Sequence, residues 1–268
     1  MTAFNRLTQR YPIISTMLLV LLSIVLSQVG AVLLSSLFSD ISREVFAMYT
    51  RYGTALLTIL LLWRLGAMRD AYISTPMSQW GSKWYLAALP IVTVGVINMF
   101  GVEWSNIQLV WQQVPFWVTE NLATGVFEET MMRGLAFYLL YRAWQHQHNG
   151  LMKAAWAQAI IFGVIHLINL VNGVSIDVFA QVIYATFLGF AFAGIVAYTR
   201  SIWPAAVAHG FVNAIANINH TFVPDYVSEG TSALAYAFFI AVIALIAVLP
   251  GYYMLSHSHS TQLKMATV

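Results

Sequence analysis

Cysteine is absent from this 268-residue chain, and charged residues make up only 8% of it. The first absence excludes disulfides and thiolate metal sites without identifying a compartment. The second says more, because a soluble domain carries roughly 25% charged residues. Here 60% of the residues are hydrophobic, the net charge is +2 and mean hydropathy is +0.74. That composition is the one an integral membrane protein needs. The 12 Lys and Arg are spread along the chain, so no basic tract points to nucleic acid as a partner. No internal repeat, low-complexity tract or separate soluble domain stands out.

A helix that crosses the hydrocarbon core needs about 20 apolar residues. On that basis eight stretches are expected to span: 13–37, 45–64, 84–102, 118–141, 154–172, 177–199, 202–222 and 232–255. The expected fold is all-α, a polytopic bundle with its active site in the interior. The run from Ile13 to Phe38 is too long for a signal-peptide core and shows no small-residue cleavage site, so it should remain as the first span. Arg51 interrupts the second span and must snorkel outward or find a partner. Trp104, Trp111 and Trp117, with Pro115, suit a segment lying at the membrane surface. This divides the chain into an N-terminal membrane region (1–117), a core (118–222) and a final span with a short polar tail (223–268).

Charge bias gives an orientation. Arg6 and Arg10 precede span one, Arg64, Arg69 and Lys83 follow span two, and Arg142 and Lys153 follow span four. Arg200 follows span six and Lys264 span eight. The alternate loops hold Asp40, Glu44, Glu103, Glu120, Asp177, Asp225 and Glu229, with Arg43 and Arg51 as their cations. By the positive-inside rule both termini are cytoplasmic and the number of spans is even.

Against this sparse background, Glu128-Glu129-Thr-Met-Met-Arg133 places three ionisable groups within six residues of an expected span. Each charge at mid-membrane costs about 2.5–3.5 kcal/mol before any pairing. Glu129 and Arg133, four apart, meet on one helix face and partly neutralise each other. Glu128 lies about 100° round the helix and is left for chemistry. The plain alternative, an ion pair that only fixes packing, accounts for Glu129 and Arg133 but not for Glu128. Span five contributes Phe162-Gly-Val-Ile-His166, and span seven His209-Gly-Phe-Val-Asn213. Gly163 and Gly210 permit close helix approach. Taken singly, each histidine or the asparagine reads as helix-to-helix hydrogen bonding. Together they converge on one polar cavity, because none faces lipid cheaply. Such a set can activate water, with Glu128 as general base and His166 holding the same water and shuttling its proton. His209 and Asn213 would donate to a developing oxyanion. His146, His148, His220, His257 and His259 sit in loops or near ends and need no special role.

These residues resemble the CPBP (Abi, or type II CAAX prenyl endopeptidase-like) family of intramembrane proteases. Its pattern is Glu-Glu-x-x-x-Arg, Phe-x-x-x-His and His-x-x-x-Asn, each on a membrane helix, and all three stand here in order. The stretch from Leu188-Gly through Tyr198-Thr-Arg-Ser-Ile-Trp-Pro204 to His209 is also similar, so the resemblance covers about residues 118–217. It implies that 118–222 is a catalytic core and that Glu128 is the water-activating glutamate with His166 as partner. It further implies that Glu129, Arg133 and Phe162 support the site, and that His209 and Asn213 form the oxyanion hole. No cofactor is expected. Glu128, His166 and His209 also form a conceivable three-ligand zinc set, disfavoured because the oxyanion role needs His209 unligated.

The expected function is hydrolysis of a peptide bond in a membrane-associated or lipidated peptide or protein. Cleavage is expected near the cytoplasmic face, in the plasma membrane of a prokaryote. Two other classes compete: a non-catalytic scaffold or bacteriocin-immunity factor, and a proton-coupled carrier. Buried titratable groups argue against the scaffold, and the lack of paired, broken inverted repeats argues against the carrier.

Overall fold

The computed structural model describes residues 3–81, 83–227 and 230–265, with side chains described apart from those of residues 3, 172 and 259–265. Glu229, the His259 ring and the Lys264 side chain therefore lie outside the described residues. Thirteen α-helices carry the fold, and no strand occurs among the described residues. In chain order they are α1 (Ala3–Arg10), α2 (Pro12–Leu37), α3 (Arg43–Arg64), α4 (Trp84–Ala87), α5 (Leu89–Asn98) and α6 (Val114–Glu129). There follow α7 (Phe137–Trp144), α8 (Gly150–Ile165), α9 (Ile176–Thr199), α10 (Trp203–Ala216), α11 (Ile218–Phe222), α12 (Ala233–Ile243) and α13 (Leu249–Met265). A π-helical turn, Thr130–Ala136, joins α6 to α7, and a second, Ala244–Val248, joins α12 to α13. Pro12, Pro90, Pro115 and Pro204 sit in the first turns of α2, α5, α6 and α10, where the missing N–H costs nothing.

The outer helices are inside-out relative to a soluble protein. α2 turns Ser15, Thr16, Val20, Ser23, Ser27 and Ala31 inward, at helical spacing, and leaves Leu18, Leu22, Val25, Val29 and Leu33 exposed. Small and hydroxyl residues let helices approach without a hydrophobic drive, and the leucines suit acyl chains. Five helical segments are long and apolar enough to cross a membrane: Pro12–Leu37, Arg43–Arg64, Gly150–Val171, Ile176–Thr199 and Ala233–Ser258. With the composition, they mark an integral membrane protein.

The other three expected spans do not meet that criterion. The third is broken between α4 and α5, leaving Leu89–Gly101 as a shorter apolar helix. The seventh ends as α10 at Ala216, with α11 continuing after Asn217. The fourth becomes the helix from Val114 to Trp144, rich in charge and packed on α10 and α3. Protein surrounds the middle of the fourth, where residues 129–140 are buried, so it need not be uniformly apolar, whereas the Leu89–Gly101 helix leaves Leu89, Val96 and Phe100 exposed. Trp117 lies inside α6, with Nε1 donating to the Ala214 carbonyl at 3.1 Å, so a boundary at 117 falls within a helix. The polar tail is helical through Met265.

Close packing of the three motif helices depends on glycine. A Cβ at Gly125 of α6 would stand 2.5 Å from the Ala206 carbonyl oxygen and 2.7 Å from the Gly210 nitrogen of α10. One at Gly163 of α8 would collide with Thr186 Oγ1 and stand 2.5 Å from the Val182 oxygen of α9. These contacts draw the site residues of separate helices together.

Candidate active site

Glu128 and Glu129 end α6 where α-helical bonding yields to the π turn. Such turns reset the direction of neighbouring side chains and recur at functional sites. Glu129 and Arg133 are fully buried, and Arg133 Nη1 donates to Glu129 Oε1 at 2.8 Å. Arg133 Nη2 donates to the Gly189 carbonyl at 3.1 Å, and Gln158 Nε2 donates to the same oxygen at 2.9 Å. The guanidinium carbon lies 4.7 Å from the Phe162 ring centroid and 4.9 Å from that of Phe192. Cation–π contacts of this kind contribute about 2 kcal/mol when desolvated. Arg133 is thus held by one carboxylate, one carbonyl and two rings, which makes its burial tolerable.

His209 links the two glutamates. Its Nδ1 is 2.8 Å from Glu129 Oε1, and its Nε2 is 3.5 Å from Glu128 Oε2. A carboxylate accepts and does not donate, so Nδ1 donates to Glu129, while Nε2 faces Glu128. Phe192 stacks on the imidazole at 4.9 Å and 21°, and Phe162 meets it edge-on at 6.0 Å. The same Phe162 meets His166 edge-on at 4.9 Å. His166 Nδ1 donates to the Phe162 carbonyl at 2.7 Å, which leaves Nε2 with its lone pair. Asn213 follows His209 by one turn on α10.

Exposure separates the two glutamates: the Glu128 side chain is 22% exposed and the Glu129 side chain 0%. Glu128, His166, His209 and Asn213 line one polar cavity of about 350 Å³, which extends to Gln28, Arg51 and Glu120. A second cavity, about 560 Å³, shares His166, His209 and Asn213 and continues between Val94, Val102, Leu188, Val212 and Phe239. The three motifs therefore meet where a polar and an apolar cavity join. That junction suits a peptide carrying both an amide to be hydrolysed and apolar flanks.

The structure arranges the expected residues differently in one respect. His209, rather than His166, is the histidine beside Glu128, and the same imidazole touches both carboxylates. Among the described residues, no group of three or more His, Asp or Glu is gathered closely enough to hold a metal ion. Several site neighbours escaped sequence reasoning. Gln158 is the lone amide in an apolar run, which was a usable signal, whereas nothing marked Phe192 among 16 phenylalanines. Arg51 does find a partner, Glu120, at 3.5 Å. Asn217 Nδ2 donates to Asn121 Oδ1 at 2.7 Å beside the polar cavity.

Neither the curated proteins nor the solved structures give a match to this chain. Residues 110–215, less than half of the chain, match the family described as type II CAAX prenyl endopeptidase Rce1-like. That stretch holds Glu128, Glu129, Arg133, Phe162, His166, His209 and Asn213. The segment that carries all three motifs is thus similar to the Rce1-like family of type II CAAX prenyl endopeptidases.

Proposed function

We propose that the protein is an intramembrane endopeptidase in which Glu128 activates water against a peptide bond of a membrane-associated or lipidated substrate. The observation that carries this reading is the division of labour between the two glutamates. Glu129 is sealed against Arg133 and orients His209 through Nδ1, while Glu128 stays accessible at the cavity junction. A base must reach water and substrate, and of the two glutamates Glu128 is the one that does.

Glu128 takes one proton from water as the oxygen attacks the scissile carbonyl carbon. The His166 Nε2 lone pair accepts a hydrogen bond from the water's second proton and fixes its position. The carbonyl oxygen becomes an oxyanion that takes hydrogen bonds from Asn213 Nδ2 and from His209 Nε2–H. The C–N bond then breaks, and the proton held by Glu128 passes to the departing amine. Arg133, Phe162 and Phe192 act at one remove by holding Glu129 and both imidazoles in place. In this reading the membrane is the plasma membrane of a prokaryote, and both termini are cytoplasmic, an orientation that the distribution of Lys and Arg favours.

The test uses purified full-length protein and a library of quenched peptides, some with lipidated tails. Wild type and Glu128→Gln run side by side, with and without a chelator. Chelator-insensitive cleavage by wild type alone supports the reading. Cleavage lost to the chelator and restored by zinc assigns the chemistry to a metal instead, and equal cleavage by both proteins removes Glu128 from the mechanism.

A further inference from the structure

The bundle has two ends of opposite character. At one end α2 begins, α3 ends, α7 turns into α8, and α9 turns into α10. Contacts tie these loops together: Arg142 Nη1 donates to Asn5 Oδ1 at 3.1 Å, and Trp203 Nε1 donates to the Ile73 carbonyl at 3.0 Å. The loops here carry Lys or Arg, with Arg64, Arg69, Arg142 and Arg200 among them, and Asp70 as the acid. At the other end α8 stops, α9 starts and α10 passes into α11. This end is joined by Tyr236 Oη donating to Asp177 at 2.7 Å and Gln108 N–H donating to the Phe222 carbonyl at 2.7 Å. It carries Asp40, Glu103, Asp177 and Asp225 among its acids, against Arg43 and Arg51.

Both cavities run from the catalytic set toward the acidic end. The polar one reaches Arg51 and Glu120, at the α3–α6 side of that end, and the apolar one reaches Asn219, Tyr226 and Thr231. His166 itself caps the last turn of α8, which ends there. Among the described residues, neither cavity is lined by a loop of the cationic end. Buried Leu135, Leu139, Phe192 and Ile195 pack into one core between the site and that end.

We propose that the active site opens on the non-cytoplasmic face of the membrane, so that its substrates are extracytoplasmic peptide segments next to a membrane anchor. Lys and Arg in short loops mark the cytoplasmic side. The cation-rich loops therefore face the cytoplasm, and the cavities point the other way. This replaces the expectation of cleavage near the cytoplasmic face. Only the word substrate rests on the protease reading; the direction of opening stands on charge and cavity geometry alone.

Because the chain contains no cysteine, single cysteines report accessibility without background. Ser105→Cys lies exposed at the acidic end, His148→Cys lies exposed at the cationic end, and Thr124→Cys lies within the polar cavity. Full-length variants are treated in intact bacterial cells with a membrane-impermeant maleimide, before and after permeabilisation. The expected pattern is labelling of Ser105→Cys and Thr124→Cys in intact cells, with loss of the His148→Cys signal until the cells are permeabilised. Any other pattern, including no labelling of Thr124→Cys from either side, overturns the proposal. Labelling needs no turnover, so the same three cysteines in a Glu128→Gln background must give the same pattern. Failure of the cleavage assay and failure of the orientation are thereby read separately.

Discussion

α2 and the helix formed by α6, its π turn and α7 belong to one bundle, yet they solve burial in opposite ways. In the most apolar window of α2, 22% of residues are buried, and its outer face is leucine and valine. Every residue from 129 to 140 of the second helix is buried, and that stretch includes a carboxylate–guanidinium pair. Lipid tolerates α2 because it offers nothing polar outward. Protein tolerates Glu129 and Arg133 because Gly189, Phe162, Phe192 and His209 surround them. The most hydropathic helices thus form the wall, and α6–α7 and α10, which hydropathy undervalues, carry the site together with α8.

Substitutions that move a residue's burden from one class to the other test this contrast. Arg133→Ala should have the largest effect, because it strands Glu129 and breaks a buried pair, at a cost of about 3–5 kcal/mol. Thermal unfolding in detergent should show a sharply lowered midpoint or loss of folded yield, and an unchanged midpoint would deny the pair its structural role. Asn213→Ala should leave the midpoint near that of wild type and lower kcat by about 10²–10³, the cost of one oxyanion donor. Its measurement is turnover of a cleaved peptide under saturating conditions. Gly163→Ala forces a methyl against Thr186 and Val182, and overpacking of this kind costs about 1–3 kcal/mol. Both the midpoint and turnover should fall, since α8 cannot move from α9 without displacing His166. Leu22→Ala, on the outer face of α2, should change stability by less than about 0.5 kcal/mol and leave turnover alone.

How much the sequence disclosed follows the same divide. The membrane class came from composition, and the Glu129–Arg133 pair came from spacing, because residues four apart on a helix meet whatever the fold. The bridge from His209 to both glutamates joins residues 80 apart in sequence, and nothing local specifies which imidazole arrives first. The π turn was equally hidden, since Thr130–Ala136 has no proline or glycine pair to announce it and its bonding answers to tertiary packing. Counting spans failed to single out the motif helices for a related reason. α10 is short and α6–α7 is charged, as interior elements are free to be.

The central claim is that the three charges of Glu128–Arg133 divide into one structural pair and one reactive carboxylate. Measuring turnover and thermal midpoint of Glu128→Gln beside wild type tests it most directly. The account predicts that cleavage disappears while the midpoint stays within about 1 kcal/mol of wild type, as expected for a near-isosteric change at an accessible group. Wild-type turnover by Glu128→Gln, or collapse of its midpoint to that of Arg133→Ala, would contradict it.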